Sequence, residues 1–311
     1  MACIWQIGGL LMCRMLFLIY VCIAQCCSSL AAYELGIVSM FKNEAAYLKE
    51  WVEYHRLVGV EHFWLYDNES DDNWEEVLQP YIQEGLVEVM HWPLIADSIW
   101  YVPTQIAAFK DGLYRAKGRA KWVAVIDIDE FVVPMKESSL TDCINKHFSG
   151  ASAIYASWLH FGTGGVSLSV GEPILCRLTA SSHIKYSKNR VGKSIVRPED
   201  ISIEETWYPH HFVLHPHAYY VNGNNEKLKL KEDGKSPVID RRHHGKYMRI
   251  NHYKLRDENF FHNVRMARCD QQGKIALLKE YKDFSLDQDF KIVDLIREHY
   301  PFMYRGFWNG K

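Results

Sequence analysis

KWVAVIDIDEF, residues 121–131, passes in one step from an unbroken apolar run to a cluster of carboxylates. The run Lys121–Ile126 reads as a strand buried on both faces, because nothing polar interrupts it. Asp127 and Asp129 then stand two apart at its carboxyl end, with Glu130 beside them. Unpaired carboxylates at the end of so apolar a strand are costly, so something must compensate them. One compensation is a hard divalent cation, its remaining shell filled by diphosphate oxygens, which would neutralise charge growing on a diphosphate leaving group. The other reading of a short acidic pair is a solvated turn.

Upstream of this strand, apolar runs alternate with helical periodicity. Residues 34–40 (ELGIVSM) read as a buried strand. A helix follows over 44–58, with Tyr47, Leu48, Trp51, Val52, His55 and Val58 on one face, Asn43 as its N-cap and Gly59 as its stop. Strands are expected at 62–66 and 86–91, and helices at 74–84 and 103–116. Strand–helix alternation with short links predicts the α/β class: a Rossmann-like, mostly parallel sheet with helices on both faces. Such sheets bind ligands beyond the carboxyl ends of their strands. Polar clusters fall at three of those ends, at 42–44, 67–72 and 127–130. After Pro134 the alternation weakens. A strand is expected at 153–158, then a glycine-rich turn at 161–165, β-type runs from about 170 to 250, and helices from Asp257.

The 311 residues are 48% hydrophobic, enough for one large domain with a core. A net charge of -2 excludes a nucleic-acid binder driven by a basic field. Five of the eight cysteines precede residue 28, so Cys143, Cys176 and Cys269 leave room for one disulfide at most and show no zinc spacing. Residues 4–24 are apolar apart from Gln6 and Arg14. Residues 1–32 are expected to be a signal peptide or a signal anchor, which places the protein at a membrane or in the secretory pathway rather than the cytoplasm.

Several metal readings fail on spacing. A haloacid-dehalogenase-type phosphatase usually has Thr or Val two residues past its second Asp, and Phe131 stands there. As an EF-hand loop, 67–78 has Asp72 where Gly belongs and Leu78 where Glu belongs. His210, His211, His215 and His217, like His243 and His244, match no structural-zinc spacing.

Taken together, Lys42-Asn43-Glu44, Glu50-Trp51, Tyr54-His55, Leu65-Tyr66-Asp67-Asn68, Trp122-Val123 and Asp127 to Phe131 resemble glycosyltransferase family 92 and its bacterial family 2-like relatives. Phe161-Gly162-Thr163-Gly164, Lys193 to Pro198 and Asn251-His252-Tyr253 extend the likeness to about residue 270. The resemblance implies a GT-A (nucleotide-diphospho-sugar transferase) fold over 33–311. It divides that span into a nucleotide-binding half at 33–134 and an acceptor-binding, metal-completing half at 135–311. It implies transfer of a hexose, often galactose, from a UDP-sugar to a glycan or other hydroxyl, with Mn2+ or Mg2+ and inversion. Asp127, Asp129 and His252 would hold the metal. Asn43, Glu44, Asp67 and Asn68 would line the base and ribose pocket, and Lys193 would meet the diphosphate. Val166 follows Gly165 where relatives often carry a His. An inverting transfer also needs a base near the acceptor; Glu130, Asp97 and Glu205 qualify by type alone. A metal-dependent phosphohydrolase or nucleotidyltransferase, and a non-catalytic carbohydrate-binding relative, remain the alternatives.

Overall fold

The computed structural model describes residues 32–94, 101–169, 172–206, 208–239 and 242–301. The N-terminal apolar stretch and Asp97 lie outside the described residues.

Strands β1 (Tyr33–Phe41), β2 (His62–Asp67), β3 (Val87–His91) and β4 (Ala120–Val125) are parallel, in the order β3-β2-β1-β4. Helices α1 (Ala45–Leu57), α2 (Trp74–Gln83) and α3 (Tyr101–Ala116) make the crossovers. Alternation along β1 sets the layers. Leu35, Ile37 and Phe41 share a core with Leu48 and Trp51 of α1 and Leu78 of α2. Val38 and Met40 point the other way and share one with Ala108, Phe109 and Leu113 of α3. A strand covered on both faces is apolar at nearly every position, hence the unbroken run.

The start of α1 corrects the sequence expectation. Asn43 is not its cap: it adopts φ 55 and its Oδ1 accepts from the Asp71 N–H at 2.9 Å. Glu44 holds the cap position without a side-chain cap bond. The Ala45 N–H donates instead to Asp72 Oδ2 at 2.8 Å. A cap lent by a distant loop leaves no local signature. The end of α1 is as expected, with Gly59 at φ 103, a conformation side chains resist.

Beyond β4 the sheet becomes mixed. β5 (Glu130–Pro134), β6 (Ala153–His160), β8 (Gly192–Val196) and β10 (Met248–His252) extend it in the order β4-β8-β6-β10-β5, and β9 (Tyr220–Asn222) pairs with β6. β8 is antiparallel to both β4 and β6, whereas β10 is parallel to β6 and antiparallel to β5. The parallel expectation therefore holds for the first four strands and gives way to a mixed second half. β7 (Ala180–Ser181) and β11 (Asp287–Gln288) form a separate ribbon. Helix α4 (Leu140–His147) and the C-terminal helices α5 (Gln271–Asp283) and α6 (Lys291–His299) complete the architecture. Cys143, Cys176 and Cys269 are all free, so no disulfide forms among the described residues.

Candidate active site

β1 and β4 lie side by side, Val38 opposite Val125, yet the chain leaves β1 outward through β2 and β3 and crosses back to β4 on the other side of β1. This is a topological switch point, where open α/β sheets leave a crevice. A cleft of about 500 Å³ opens there. Lys42, Asn43 and Glu44 line it from the end of β1, Gln105 from α3, and Asp127 to Asp129 from the end of β4; Arg265 and Arg268 complete it.

Strand register explains the first contacts of the acidic turn. Ser194 pairs with Val125, which brings Lys193 beside Asp127. Lys193 Nζ lies 2.8 Å from Asp127 Oδ2, and Gln105 Nε2 donates to Asp127 Oδ1 at 3.0 Å. Burial alone would lower the Lys193 pKa, but the Asp127 and Glu130 carboxylates hold it above the ordinary value. Glu130 is fully buried, and its Oε2 accepts from the Asp127 N–H at 2.9 Å. Burial, reinforced by Asp127 and Asp129, pushes its pKa well up despite Lys193. Glu130 thus backs the turn as a buried acid with no surface open to an acceptor. Glu205, the other described candidate base, is exposed and paired with Lys235.

Asp129 meets His252 because β10 pairs with β5, His252 opposite Glu130. His252 Nε2 stands 3.5 Å from Asp129 Oδ1, and the Tyr253 N–H donates to the Asp129 carbonyl at 2.8 Å. Burial would raise the Asp129 pKa, but His252, Arg256 and Arg265 together drive it far below the usual carboxylate range. No group of three His, Cys, Asp or Glu side chains among the described residues is arranged to hold a metal. Two donors at the edge of an open cleft nonetheless suit a hard cation that takes most of its shell from phosphates and water. The structure pairs Asp129 with His252 and gives Asp127 to Lys193.

The remaining expected residues divide. Asn43 and Glu44 line the cleft. Asp67 and Asn68 are buried behind it; Asp67 Oδ1 accepts from the Ser70 N–H and Asn68 Nδ2 donates to the Trp92 carbonyl. Arg197 is structural: it donates to the Ala151 and Ser149 carbonyls and lies 4.3 Å over the Trp122 ring. Of the histidine run, His210 sits beside Trp158, its Nδ1 2.9 Å from the Gly192 carbonyl.

Three arginines escaped the sequence reading. Arg256 is 2% exposed, adopts φ 52, bonds Glu44 at 2.5 Å and lies 3.5 Å over the Tyr47 ring. Arg265 and Arg268 enter the cleft from the segment that follows Asp257. Their i, i+3 spacing, which puts two cations on one helical face, was the available signal.

The profile of glycosyltransferase family 92 matches residues 35–265. The chain belongs to glycosyltransferase family 92. The match takes in the acidic turn, Lys193, His252, Arg256 and Arg265. A family 92 protein of Ricinus communis is 31% identical over 202 residues, covering 64% of this chain and 35% of its own. One of Oryza sativa subsp. japonica is 30% identical over 198 residues, covering 61% and 31%. A galactan beta-1,4-galactosyltransferase of Arabidopsis thaliana is 36% identical over 95 residues, covering 29% and 18%. This family 92 chain spans about a third of the length of the curated family 92 relatives it matches. Among solved structures, S. aureus TarS 1-349 in complex with UDP-GlcNAc aligns with TM-score 0.39 at 14% identity, over 80% of this chain and 71% of that one.

Proposed function

We propose that this chain is the transfer domain of a metal-assisted glycosyltransferase. It moves a hexose from a UDP-sugar to the hydroxyl of a glycan or other acceptor, with inversion at the anomeric carbon. One observation carries the reading: Asp129, kept ionised beside His252, shares a cleft at the sheet's switch point with Arg265 and Arg268. Cations and a metal-competent carboxylate around one cleft suit a diphosphate leaving group.

In this reading Asp129 and His252, with Asp127 beside them, would hold Mn2+ or Mg2+. The ion supplies neutralisation of the departing diphosphate. Arg265 and Arg268 grip the diphosphate as forked donors. Asn43 and Glu44 shape the base and ribose pocket, with Asp67 and Asn68 fixing the loop behind them. Lys193 orients Asp127 from beneath. The likeness to a galactan beta-1,4-galactosyltransferase supports galactose as the sugar. The apolar stretch at 4–24 supports a place at, or export across, a membrane.

Calorimetric titration of the full chain with UDP, GDP and CMP, each with and without Mn2+, tests the reading. Metal-dependent binding of UDP is expected. Folded protein that binds none of the three would sink the proposal, and phosphate release without a sugar acceptor would make the chain a hydrolase.

A further inference from the structure

A second chamber, of about 300 Å³, opens on the other side of the acidic turn. It shares Asp127, Asp129 and Arg265 with the first cleft and adds His252 from β10 and Trp158 and His160 from the end of β6. Its volume sits at the low end of small-molecule pockets, roughly 300–1,000 Å³.

The orientation of His160 is fixed from behind. Asn189 Oδ1 accepts from the His160 backbone N–H at 3.2 Å and stands 2.8 Å from its ring Nδ1. A backbone N–H can only donate, so Asn189 must present its oxygen here. That oxygen can only accept, so Nδ1 carries the ring hydrogen. Asn189 is itself fully buried and tied to Ser182 and His183. The lone pair of His160 therefore sits on Nε2, which no hydrogen bond engages among the described residues. His160 lines the chamber, so its Nε2 is an oriented acceptor available to a donor held there.

Trp158 supplies a different surface. It is partly exposed, lines the chamber, and lies 5.4 Å from His160 and 4.5 Å from His252, centroid to centroid. Its indole N–H is buried and has no partner among the described residues. An aromatic platform beside a fixed hydrogen-bond acceptor matches a pyranose, which has an apolar C–H face and hydroxyls at its edge. The rim is polar, with Lys188 and Lys254 both bound to Glu280 at 2.6 and 2.7 Å, which suits a hydrated ring better than a lipid chain.

Resting on the transferase reading, we propose that the second chamber receives the acceptor as a sugar ring. The ring packs on Trp158, and the attacking hydroxyl donates its hydrogen bond to His160 Nε2. This would hold the nucleophile next to the Asp129–His252 pair, where the donor's anomeric bond would lie, so that orientation lowers the barrier.

Saturation-transfer NMR on the full chain with UDP and Mg2+ tests the assignment. The probes are methyl pyranosides of galactose, glucose, mannose and xylose, with cyclohexylmethanol as the non-sugar alcohol. Saturation is expected on the ring protons of at least one glycoside and not on cyclohexylmethanol. Trp158→Ala and His160→Phe should each weaken that glycoside about tenfold, while Trp158→Phe and His160→Gln restore part of the loss. UDP affinity, measured alongside, reports separately on the donor cleft. Absence of UDP binding in the natural chain would defeat the transferase reading itself. UDP binding with no glycoside contact, or with contact unchanged in variants that still bind UDP, would overturn the acceptor assignment alone. If His160→Phe does not fold, the Trp158 pair decides by the same criterion.

Discussion

Lys193 Nζ lies 2.8 Å from Asp127 Oδ2 with only 1% of the lysine side chain open to solvent. The same ammonium stands 4.0 Å from Glu130 Oε2, so one buried cation serves two carboxyl groups. The lysine is the buried end of the pair, whereas Asp127 keeps 33% of its side chain open to the cleft, so Asp127 holds the ammonium in place more than the ammonium shields Asp127.

Lys193→Met should cost about 1 kcal/mol of stability, because Asp127 loses its counter-ion but stays open to water while Glu130 is held as a neutral acid. Urea unfolding measures it. Asp127→Asn in the Lys193→Met background should recover part of the loss. A cost near zero would mean that water already screens the pair.

Asp129→Asn removes the carboxylate that the site keeps ionised but leaves the turn's backbone bonds intact, including Tyr253 N–H to the Asp129 carbonyl. Metal-dependent UDP affinity should fall about a hundredfold in protein that still folds with a lowered unfolding midpoint, since metal sites lose order-of-magnitude affinity when a ligand or its support goes and the cations around Asp129 lose their carboxylate. Unchanged affinity would remove Asp129 from the metal site.

The close crossing of β6 and β8 rests on Gly192. A Cβ there would lie 1.9 Å from the Ala156 carbonyl oxygen and 2.9 Å from Ser157 Cα, both backbone atoms that cannot swing away. Gly192→Ala should cost about 3 kcal/mol or abolish folding, toward the severe end of overpacking. It should also weaken UDP binding, because Lys193 is the next residue. A variant as stable as the natural chain would mean that the strands separate at no cost.

The legible part of the fold was the part built from long, doubly covered strands. β1, β2 and β4 announce themselves because burial on both faces leaves few polar positions to blur the run. The second half was less legible because its strands are short and its chain path is set by distant bonds. Glu50, on α1, accepts from the Ile174 and Leu175 N–H groups at 2.8 and 2.9 Å, more than 120 residues away. The site divided in the same way. Asp127 and Asp129 were visible because two carboxylates ending an apolar strand conflict with their surroundings. Lys193 was visible as a site residue, but its partner was not, because the antiparallel pairing of β8 with β4 sets that contact. His160 gave no signal at all, since one histidine ending an apolar strand resembles any buried histidine.

Glu50 also sets a pH dependence. It is buried, and burial raises its pKa to about 7 despite the two N–H donors. The folded state then holds this proton to higher pH than the unfolded chain does. The stability contribution is full below about pH 4.5 and is lost as pH rises to about 7, amounting to about 3 kcal/mol at ~1.4 kcal/mol per pH decade. Glu50→Gln should flatten the stability profile across this window in unfolding experiments at pH 5 and pH 8. A profile as steep as the natural chain's would assign the slope to other groups.

With Lys193 committed to Asp127, the cations lining the cleft among the described residues are Lys42, Arg265 and Arg268, and of these the two arginines offer forked donors to a diphosphate. Arg265 also has a buried Nε with no partner among the described residues. If they grip the diphosphate, their loss must be felt by UDP and not by uridine, which carries the same base and ribose. Arg265→Ala and Arg268→Ala should each weaken UDP about tenfold, as expected for a charge-assisted bond, with uridine affinity unchanged. Raising salt should weaken UDP binding to the natural chain more steeply than to the double variant, because fewer charges remain to screen. Equal losses for UDP and uridine would instead mean that the arginines shape the base pocket, and the diphosphate would need another cation.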